Sequence, residues 1–223
     1  MSASGHRAIE HKPLLRGWSH ALAAVGALAT TVALCVQCTS DPPRLLTMLV
    51  YGLSMTALFA VSAVYHIGAW RPTWRRRLRV LDHANIFLLI AGTYTPIAFN
   101  VLAGWERSAV LVSIWVLGAI GITCSVSTLR LPRAATAALY VGMGWAALVP
   151  APSLVRALPL PASAGFAAGG LLYTIGALAY ALRRPDPLPR VFGFHEVFHA
   201  LVIGGAIAFA TAIWVWVVPF PRA

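Results

Sequence analysis

Charged residues are scarce in this chain of 223 residues. Only 10% are Asp, Glu, Lys or Arg, whereas a soluble domain contains about 25%. With 59% hydrophobic residues, the chain lacks the polar side chains needed for a solvated surface around a core. The composition therefore excludes an ordinary soluble protein and predicts an all-α integral membrane protein. No linker is long enough to separate two domains, so residues 1–223 are expected to form a single membrane domain.

Cysteine is also rare, and the pattern of a cleaved signal peptide is absent. The three cysteines, Cys35, Cys38 and Cys124, cannot form a disulfide framework. They lie in apolar runs, where free cysteine behaves as a small hydrophobic residue. The first apolar run follows sixteen polar and basic residues and shows no small-residue cleavage site. We therefore expect residues 1–16 to remain as a cytoplasmic N-terminal segment.

The apolar residues fall into seven runs, each near the roughly 20 residues that a helix needs to cross a bilayer. Short connections containing Pro, Gly, Asp and Arg separate them. The fifth run is rich in Ala and Gly and has little bulk. The predicted spans, forming a seven-transmembrane-helix bundle, are 17–39, 45–69, 80–101, 107–128, 134–151, 162–182 and 195–218.

The basic residues predict how these spans are oriented. A net charge of +11 would suggest nucleic-acid binding in a soluble protein, but here the basic residues lie in short loops, so no nucleic-acid partner is expected. Thirteen of the 17 Lys and Arg residues fall in the N-terminal segment and the second, fourth and sixth loops. The positive-inside rule then places the N-terminus in the cytoplasm and the C-terminus outside. The expected location is the inner cell membrane, with multiple passes.

Ionisable residues inside a span are costly, and this chain has a small set of them. His195 and His199 are four residues apart, so on a helix both rings leave the same face. In the predicted topology His66 lies near the cytoplasmic end of span two, and Asp82 lies in the first turns of span three. These four residues share one depth, about 5–10 Å below the cytoplasmic surface. The full set is His20, His66, Asp82, His83, His195, Glu196 and His199.

Three histidines at one depth indicate a zinc site. His66, His195 and His199 supply three nitrogen ligands and leave a fourth position open, as in catalytic zinc sites. Asp82 is then placed to orient a water molecule and accept its proton. Ser62, one turn before His66, faces the same side and could hydrogen-bond the water or a substrate oxygen. A haem is disfavoured, because histidines on one helix face cannot ligate both sides of a flat ring.

Each residue also has a structural alternative when it is taken alone. A lone histidine at a helix end usually caps the helix or extends to the membrane surface, and Asp82 could be the N-cap of span three. Ser62 could serve helix packing only. Asn85, three residues after Asp82, is a weaker candidate for hydrogen bonding near the site. His83 and Glu196 are interpreted as interface or supporting groups, and His20 is left unassigned, with a structural role favoured.

Four motifs together resemble the haemolysin III branch of the progestin and adipoQ receptor family, over residues 12 to 218. They are Lys12-Pro-Leu-Leu-Arg-Gly-Trp-Ser-His20, Ser62-x-x-x-His66, the stretch from Asp82 to Pro96, and His195-x-x-x-His199. The resemblance implies a seven-helix protein with a cytoplasmic N-terminus and a zinc ion near the inner face. It implies that His66, His195 and His199 bind the zinc, with Asp82 and Ser62 close by. Eukaryotic relatives resemble alkaline ceramidases, and bacterial members are named for haemolytic activity and linked to membrane homeostasis.

Two functional hypotheses remain. The first is a zinc-dependent intramembrane hydrolase of an amide or ester bond in a membrane lipid, with a role in membrane homeostasis. The second is a non-enzymatic haemolysin III-type protein, a receptor-like sensor or a cytolysin, in which a structural zinc ties helices together. The ionisable groups stop at the cytoplasmic third, so the chain lacks the polar helix face that a pore requires. This favours the hydrolase over a pore and leaves a structural zinc open.

Overall fold

A computed structural model describes residues 13–126 and 132–222 of the chain. Within these residues the fold is α-helical and contains no β-strand, which confirms the predicted all-α membrane bundle. The helices are α1 (Trp18–Gln37), α2 (Pro42–Ile67), α3 (Pro72–Val101), α4 (Gly104–Val126), α5 (Arg133–Trp145), α6 (Ala151–Ala157), α7 (Leu160–Leu182) and α8 (Phe194–Ala212). A 3-10 turn, Ala146–Leu148, follows α5, and a π-helical turn, Ile213–Val217, extends α8.

Six of the described helices are long and apolar enough to cross a membrane, namely α1, α2, α3, α4, α7 and α8 with its extension. A seventh span is obtained when α5, its 3-10 turn and α6 are counted together, with a bend of 52° at the break between them. Pro150 lies in this break, and proline cannot donate the hydrogen bond that would continue the helix. The predicted end of the fifth span at residue 151 was too early, because the chain becomes helical again through Ala157.

Two helices begin earlier than their apolar runs. Helix α3 starts at Pro72, eight residues before the predicted span, and includes the exposed arginines from Arg75 to Arg79. Proline suits the first helical position, and a helix does not need apolar side chains to continue out of the membrane. Helix α2 starts at Pro42, where the Asp41 carboxylate accepts a hydrogen bond from the Arg44 backbone N–H at 3.1 Å.

Some of the predictions fall outside the described residues. These are residues 1–12 of the predicted N-terminal segment, the last two residues of the predicted fourth span (107–128), Arg130 of the fourth loop, and Ala223. The described part of the predicted N-terminal segment, from Pro13, is joined to the loop before α8. Leu14 and Leu15 donate backbone hydrogen bonds to the carbonyl oxygens of Arg190 and Val191, at 3.1 and 3.2 Å.

Helices α1 to α4 each pack against the next helix, α7 packs against α8, and α5 packs mainly against α7. Helix α8 closes the bundle by contacting α1. Small residues permit the closest approaches. Gly92 on α3 faces Ser54 on α2, and a Cβ added to Gly205 on α8 would lie 2.6 Å from the ring of Tyr173 on α7. The last turn of α2 and the first turns of α8 lie at the same end of the bundle, where their histidine rings are in contact, and we call this the site end.

Polar contacts tie the chain after α8 to α2 and α3 at the opposite end. The Arg44 guanidinium donates hydrogen bonds to Asn100 Oδ1 at 3.2 Å, to the Phe220 carbonyl at 2.6 Å and to the Val218 carbonyl. Arg222 forms an ion pair with Asp41 at 3.0 Å. Because α8 is also held at the site end, the position of its histidines is constrained at both ends of the helix.

Candidate metal centre

Three histidine side chains converge at the site end of the bundle. His66 comes from the last turn of α2, and His195 and His199 come from the first two turns of α8. One nitrogen from each ring lies within 4.8 Å of the other two, and the Nε2 atoms of His66 and His195 are 3.2 Å apart. His199 is buried, and the other two are partly buried. The predicted set of three nitrogen donors is therefore brought together around one point.

This donor set fits a metal ion. Two ligands that each lie about 2.0–2.1 Å from a tetrahedral zinc are about 3.3 Å apart, close to the separation of the His66 and His195 nitrogens. The Nδ1 atom of His199 is buried and has no hydrogen-bond partner among the described residues. A buried polar atom without a partner lowers stability, and a metal ion bound to this nitrogen would remove that cost. Three neutral imidazoles with no thiolate suit zinc among other borderline divalent ions.

Asp82 lies beside the histidines but is separate from the three-nitrogen cluster. Its Oδ2 atom is 3.8 Å from His66 Nε2 and 4.0 Å from His83 Nδ1. Ser62 is buried one turn before His66 on α2, and its hydroxyl lies close enough to interact with the Asp82 carboxylate. A hydroxyl donor beside a carboxylate can orient it. Asn85 donates to the Ala57 carbonyl at 3.4 Å, which links the helices that carry His66 and Asp82.

Glu196, whose role the sequence left open, makes two contacts that hold α8 in place. It is 1% exposed, accepts a hydrogen bond from the Gly193 backbone N–H at 2.8 Å, and forms an ion pair with Arg16. The first contact caps α8, and the second joins α8 to the segment before α1. Because Glu196 lies between the two histidines of α8 in sequence, both contacts hold the helix turn that presents His195 and His199.

His20 and His83 also have defined positions. The His20 ring, on α1, stacks on His199 with ring centroids 3.7 Å apart and an angle of 13° between the planes. His83 Nδ1 lies 2.7 Å from the Arg79 carbonyl, and the His83 carbonyl accepts a hydrogen bond from the Tyr140 hydroxyl at 3.3 Å. His20 therefore supports a candidate ligand directly, whereas His83 links α3 to α5. The only sequence signal for either role was an ionisable residue at the end of a span.

A cavity of about 2600 Å³ opens from the histidines into the bundle. Its lining includes Ser62, Asp82 and the three histidines at the site end, and apolar side chains of α3, α5 and α7 further in. Along α3 the lining runs from Asp82 to Ile97, which corresponds to about 22 Å of helix. Small residues of α5 and α7, such as Ala137, Gly144 and Gly170, leave room for this space.

Comparisons with known proteins agree with the architecture. A family model described as haemolysin-III related matches residues 9–210. The chain is 29% identical to hemolysin-3 of Bacillus cereus over 203 residues, which cover 90% of each protein. It is 32% identical to the heptahelical transmembrane protein ADIPOR2 of Oryza sativa subsp. japonica over 182 residues, 72% of this chain and 76% of the relative.

A human relative extends the same similarity. The monocyte to macrophage differentiation factor of Homo sapiens is 25% identical over 201 residues, which cover 88% of this chain and 81% of the relative. The family model spans nearly all of the helical bundle, including α2, α3 and the first turns of α8 that carry the histidines and Asp82. The chain belongs to the haemolysin III branch of the progestin and adipoQ receptor family.

Proposed function

We propose that the protein is a zinc-dependent intramembrane hydrolase that cleaves an amide or ester bond in a membrane lipid. The observation that carries this proposal is the position of Asp82 beside the three converging histidines, at the end of a long and mainly apolar cavity. An acyl chain of sixteen to eighteen carbons is about 20 Å long when extended, so the cavity is long enough for one. The proposal joins a polar reaction site to a space suited to lipid tails.

His66, His195 and His199 would hold the zinc ion. When bound, zinc supplies a Lewis acid for a carbonyl oxygen and lowers the pKa of water towards 7. Proton transfer is carried out by side chains of the protein. Asp82 takes up the proton of the attacking water and returns it to the leaving group, and the hydrogen bond from Ser62 keeps the carboxylate turned towards the site. The apolar cavity walls exclude bulk water from the acyl chain.

The orientation in the membrane is part of the proposal. The N-terminus and the site end are placed in the cytoplasm, because the Arg75–Arg79 cluster and most other basic residues lie at this end. The inner cell membrane follows as the location. Hydrolysis at this depth would act on lipids of the cytoplasmic leaflet, consistent with a role in membrane homeostasis.

A second candidate function is a non-enzymatic haemolysin III-type membrane protein, a sensor or cytolysin with a structural zinc. Two observations favour it. The Bacillus cereus relative is named hemolysin-3, and the histidines come from α2 and α8, so a metal ion there would join the two helices. In that case Asp82 would have no proton to transfer.

The two functions are separated by a lipid hydrolysis assay on the purified, zinc-loaded protein. Ceramides, acyl amides and phospholipids are offered, and fatty acid release is measured before and after chelation and again after zinc is restored. A hydrolase releases fatty acid only in the first and last conditions, and His199→Ala is inactive in all three. If the protein binds zinc but releases no fatty acid from any lipid of the panel, the hydrolase proposal is contradicted and the non-enzymatic protein with a structural zinc is supported.

A further inference from the structure

The mouth of the cavity at the site end is strongly cationic. Its lining includes Arg71, Arg75, Arg76, Arg79, Arg133 and Arg183. Three carboxylates are described at the same end, and all of them have partners. Glu196 pairs with Arg16, Asp186 accepts a hydrogen bond from the Phe194 backbone N–H at 2.8 Å, and Asp82 contacts His66 and Ser62. The cavity mouth therefore carries an excess of positive charge that the described carboxylates do not balance.

Arg133 is connected to the histidines through one aromatic side chain. Its guanidinium carbon lies 5.5 Å from the centroid of the Tyr180 ring, within the range of a cation–π contact. The Tyr180 ring is in turn 5.7 Å from the ring of His195. Arg133 is exposed, and it forms no ion pair with any carboxylate in the described parts of the chain. Its charge is thus held one aromatic ring away from the candidate metal centre.

Arg79 contributes a second cation on the same side of the cavity. It is exposed on α3, one turn before Asp82 and His83, whereas Arg133 starts α5. Both arginines line the cavity, and they are carried by two different helices. Two guanidinium groups are therefore present in the same cavity lining that contains Asp82 and the histidines.

The positive-inside rule accounts for arginines in the loops of this end, but it does not require guanidinium groups that line a cavity. A guanidinium group presents several N–H donors in one plane and binds phosphate oxygens in pairs. Two such groups that form no ion pair with a described carboxylate therefore match a phosphate group. An acyl chain that enters the cavity would leave its headgroup at this mouth. The positive charge of the arginines and their position at the cavity mouth are therefore those expected of a site for a lipid headgroup.

We propose that Arg133 and Arg79 bind the phosphate of a lipid headgroup, so that the substrate class is an acylated lipid bearing a phosphate rather than a neutral lipid. This inference rests on the proposed lipid hydrolase for its functional meaning. The binding site itself is independent of turnover, because it needs only the cationic mouth and the cavity. The arginines act on the headgroup and take no part in proton transfer.

The test compares two lipids that carry the same acyl esters and differ by the phosphate, dioleoylphosphatidic acid and dioleoylglycerol. Binding of each to the zinc-loaded, full-length protein in a neutral detergent is measured by native mass spectrometry. We expect phosphatidic acid to bind more tightly than dioleoylglycerol. Arg133→Gln should weaken phosphatidic acid binding about tenfold and leave dioleoylglycerol binding unchanged. Arg79→Gln should have a smaller effect in the same direction, and Arg133→Lys should recover part of the affinity.

Arg184→Gln is the matched control, because Arg184 is exposed at the same end but lies outside the cavity lining. If Arg133→Gln and Arg184→Gln lose phosphatidic acid affinity equally, the effect is one of general surface charge, and the assignment of Arg133 to the headgroup site is overturned. Equal affinity of the wild type for the two lipids would overturn it as well. Displacement of phosphatidic acid by a similar concentration of inorganic phosphate would show a site for free phosphate instead of a lipid. Intact discrimination between the lipids without any hydrolysis would contradict the proposed hydrolase and support the headgroup site.

Discussion

The Nε2 atoms of His66 and His195 lie 3.2 Å apart, although 129 positions separate the two residues in the chain. Two unlinked imidazoles rarely approach so closely unless a shared proton or a metal ion lies between them. The third histidine, His199, brings its ligand atom within 4.8 Å of both. The contact thus joins the end of α2 to the start of α8 at a single point, and the first prediction concerns what occupies it.

Purified wild-type protein should contain about one zinc ion per chain, as measured by elemental analysis. His199→Ala removes the buried ligand and should lose most of the metal, because two histidines bind zinc far more weakly than three. His83→Ala is the control, since its ring contacts Asp82 and the Arg79 carbonyl but is not in the ligand cluster. Full zinc occupancy in His66→Ala, His195→Ala and His199→Ala alike would contradict this site.

Removing Arg16 should destabilise the protein without removing a ligand. Glu196 is 1% exposed, so Arg16→Met leaves a buried carboxylate without its cation and should lower the free energy of unfolding by about 3 kcal/mol. The loss should appear as a lower thermal unfolding midpoint in detergent. The double variant Arg16→Met/Glu196→Gln should recover part of it, because the buried charge is gone. Arg75→Met changes an exposed arginine and is expected to leave the midpoint unchanged; a similar drop there would make the Arg16 result unspecific.

The proposed orientation predicts which reporters are active at each end. A green fluorescent protein fused after Arg222 should remain dark, because this reporter does not mature outside the cytoplasm in bacteria, whereas alkaline phosphatase at the same position should be active. An insertion of green fluorescent protein between Gly68 and Arg71 should fluoresce. Bright fluorescence from the C-terminal fusion would mean an even number of spans, and the shared cytoplasmic depth of His66, Asp82 and the α8 histidines would no longer hold.

Much of the fold was predictable, because span length and apolarity are set by the bilayer and appear directly in the sequence. The ends of helices were less accurate. Helix α3 extends through Arg75–Arg79, and α6 resumes after Pro150, because hydrogen bonding along the backbone continues where apolarity stops. The histidine cluster was predictable for a different reason: helical spacing put His195 and His199 on one face, and topology put His66 at the same depth.

The contacts that support the cluster were not predictable from the sequence. Arg16 and Glu196 are 180 positions apart, and the stacking of His20 on His199 joins the first and last spans. Neither pair has a local pattern, since each depends on which helices become neighbours. The cavity was not predictable either, because its volume follows from the packing of α3, α5 and α7 and not from the composition of any one of them. The alanines and glycines of the fifth predicted span indicated only that this part of the chain has little bulk.

The role of Asp82 distinguishes a catalytic zinc from a structural one. Asp82→Asn keeps the size of the side chain and can still accept a hydrogen bond from Ser62, but an amide cannot take up a proton near neutral pH. A structural zinc that joins α2 to α8 does not need this carboxylate. The variant therefore removes proton transfer while leaving the three candidate zinc ligands intact.

The most direct test is the rate of fatty acid release by Asp82→Asn, measured beside its zinc content and thermal midpoint. We predict unchanged zinc, an unchanged midpoint and a loss of hydrolysis by about 10²–10⁴-fold, the usual effect of removing a proton-transfer group. This loss corresponds to about 3–5 kcal/mol of transition-state stabilisation. Hydrolysis at the wild-type rate in a zinc-loaded Asp82→Asn variant would contradict the central claim that this carboxylate serves as the base beside the histidines.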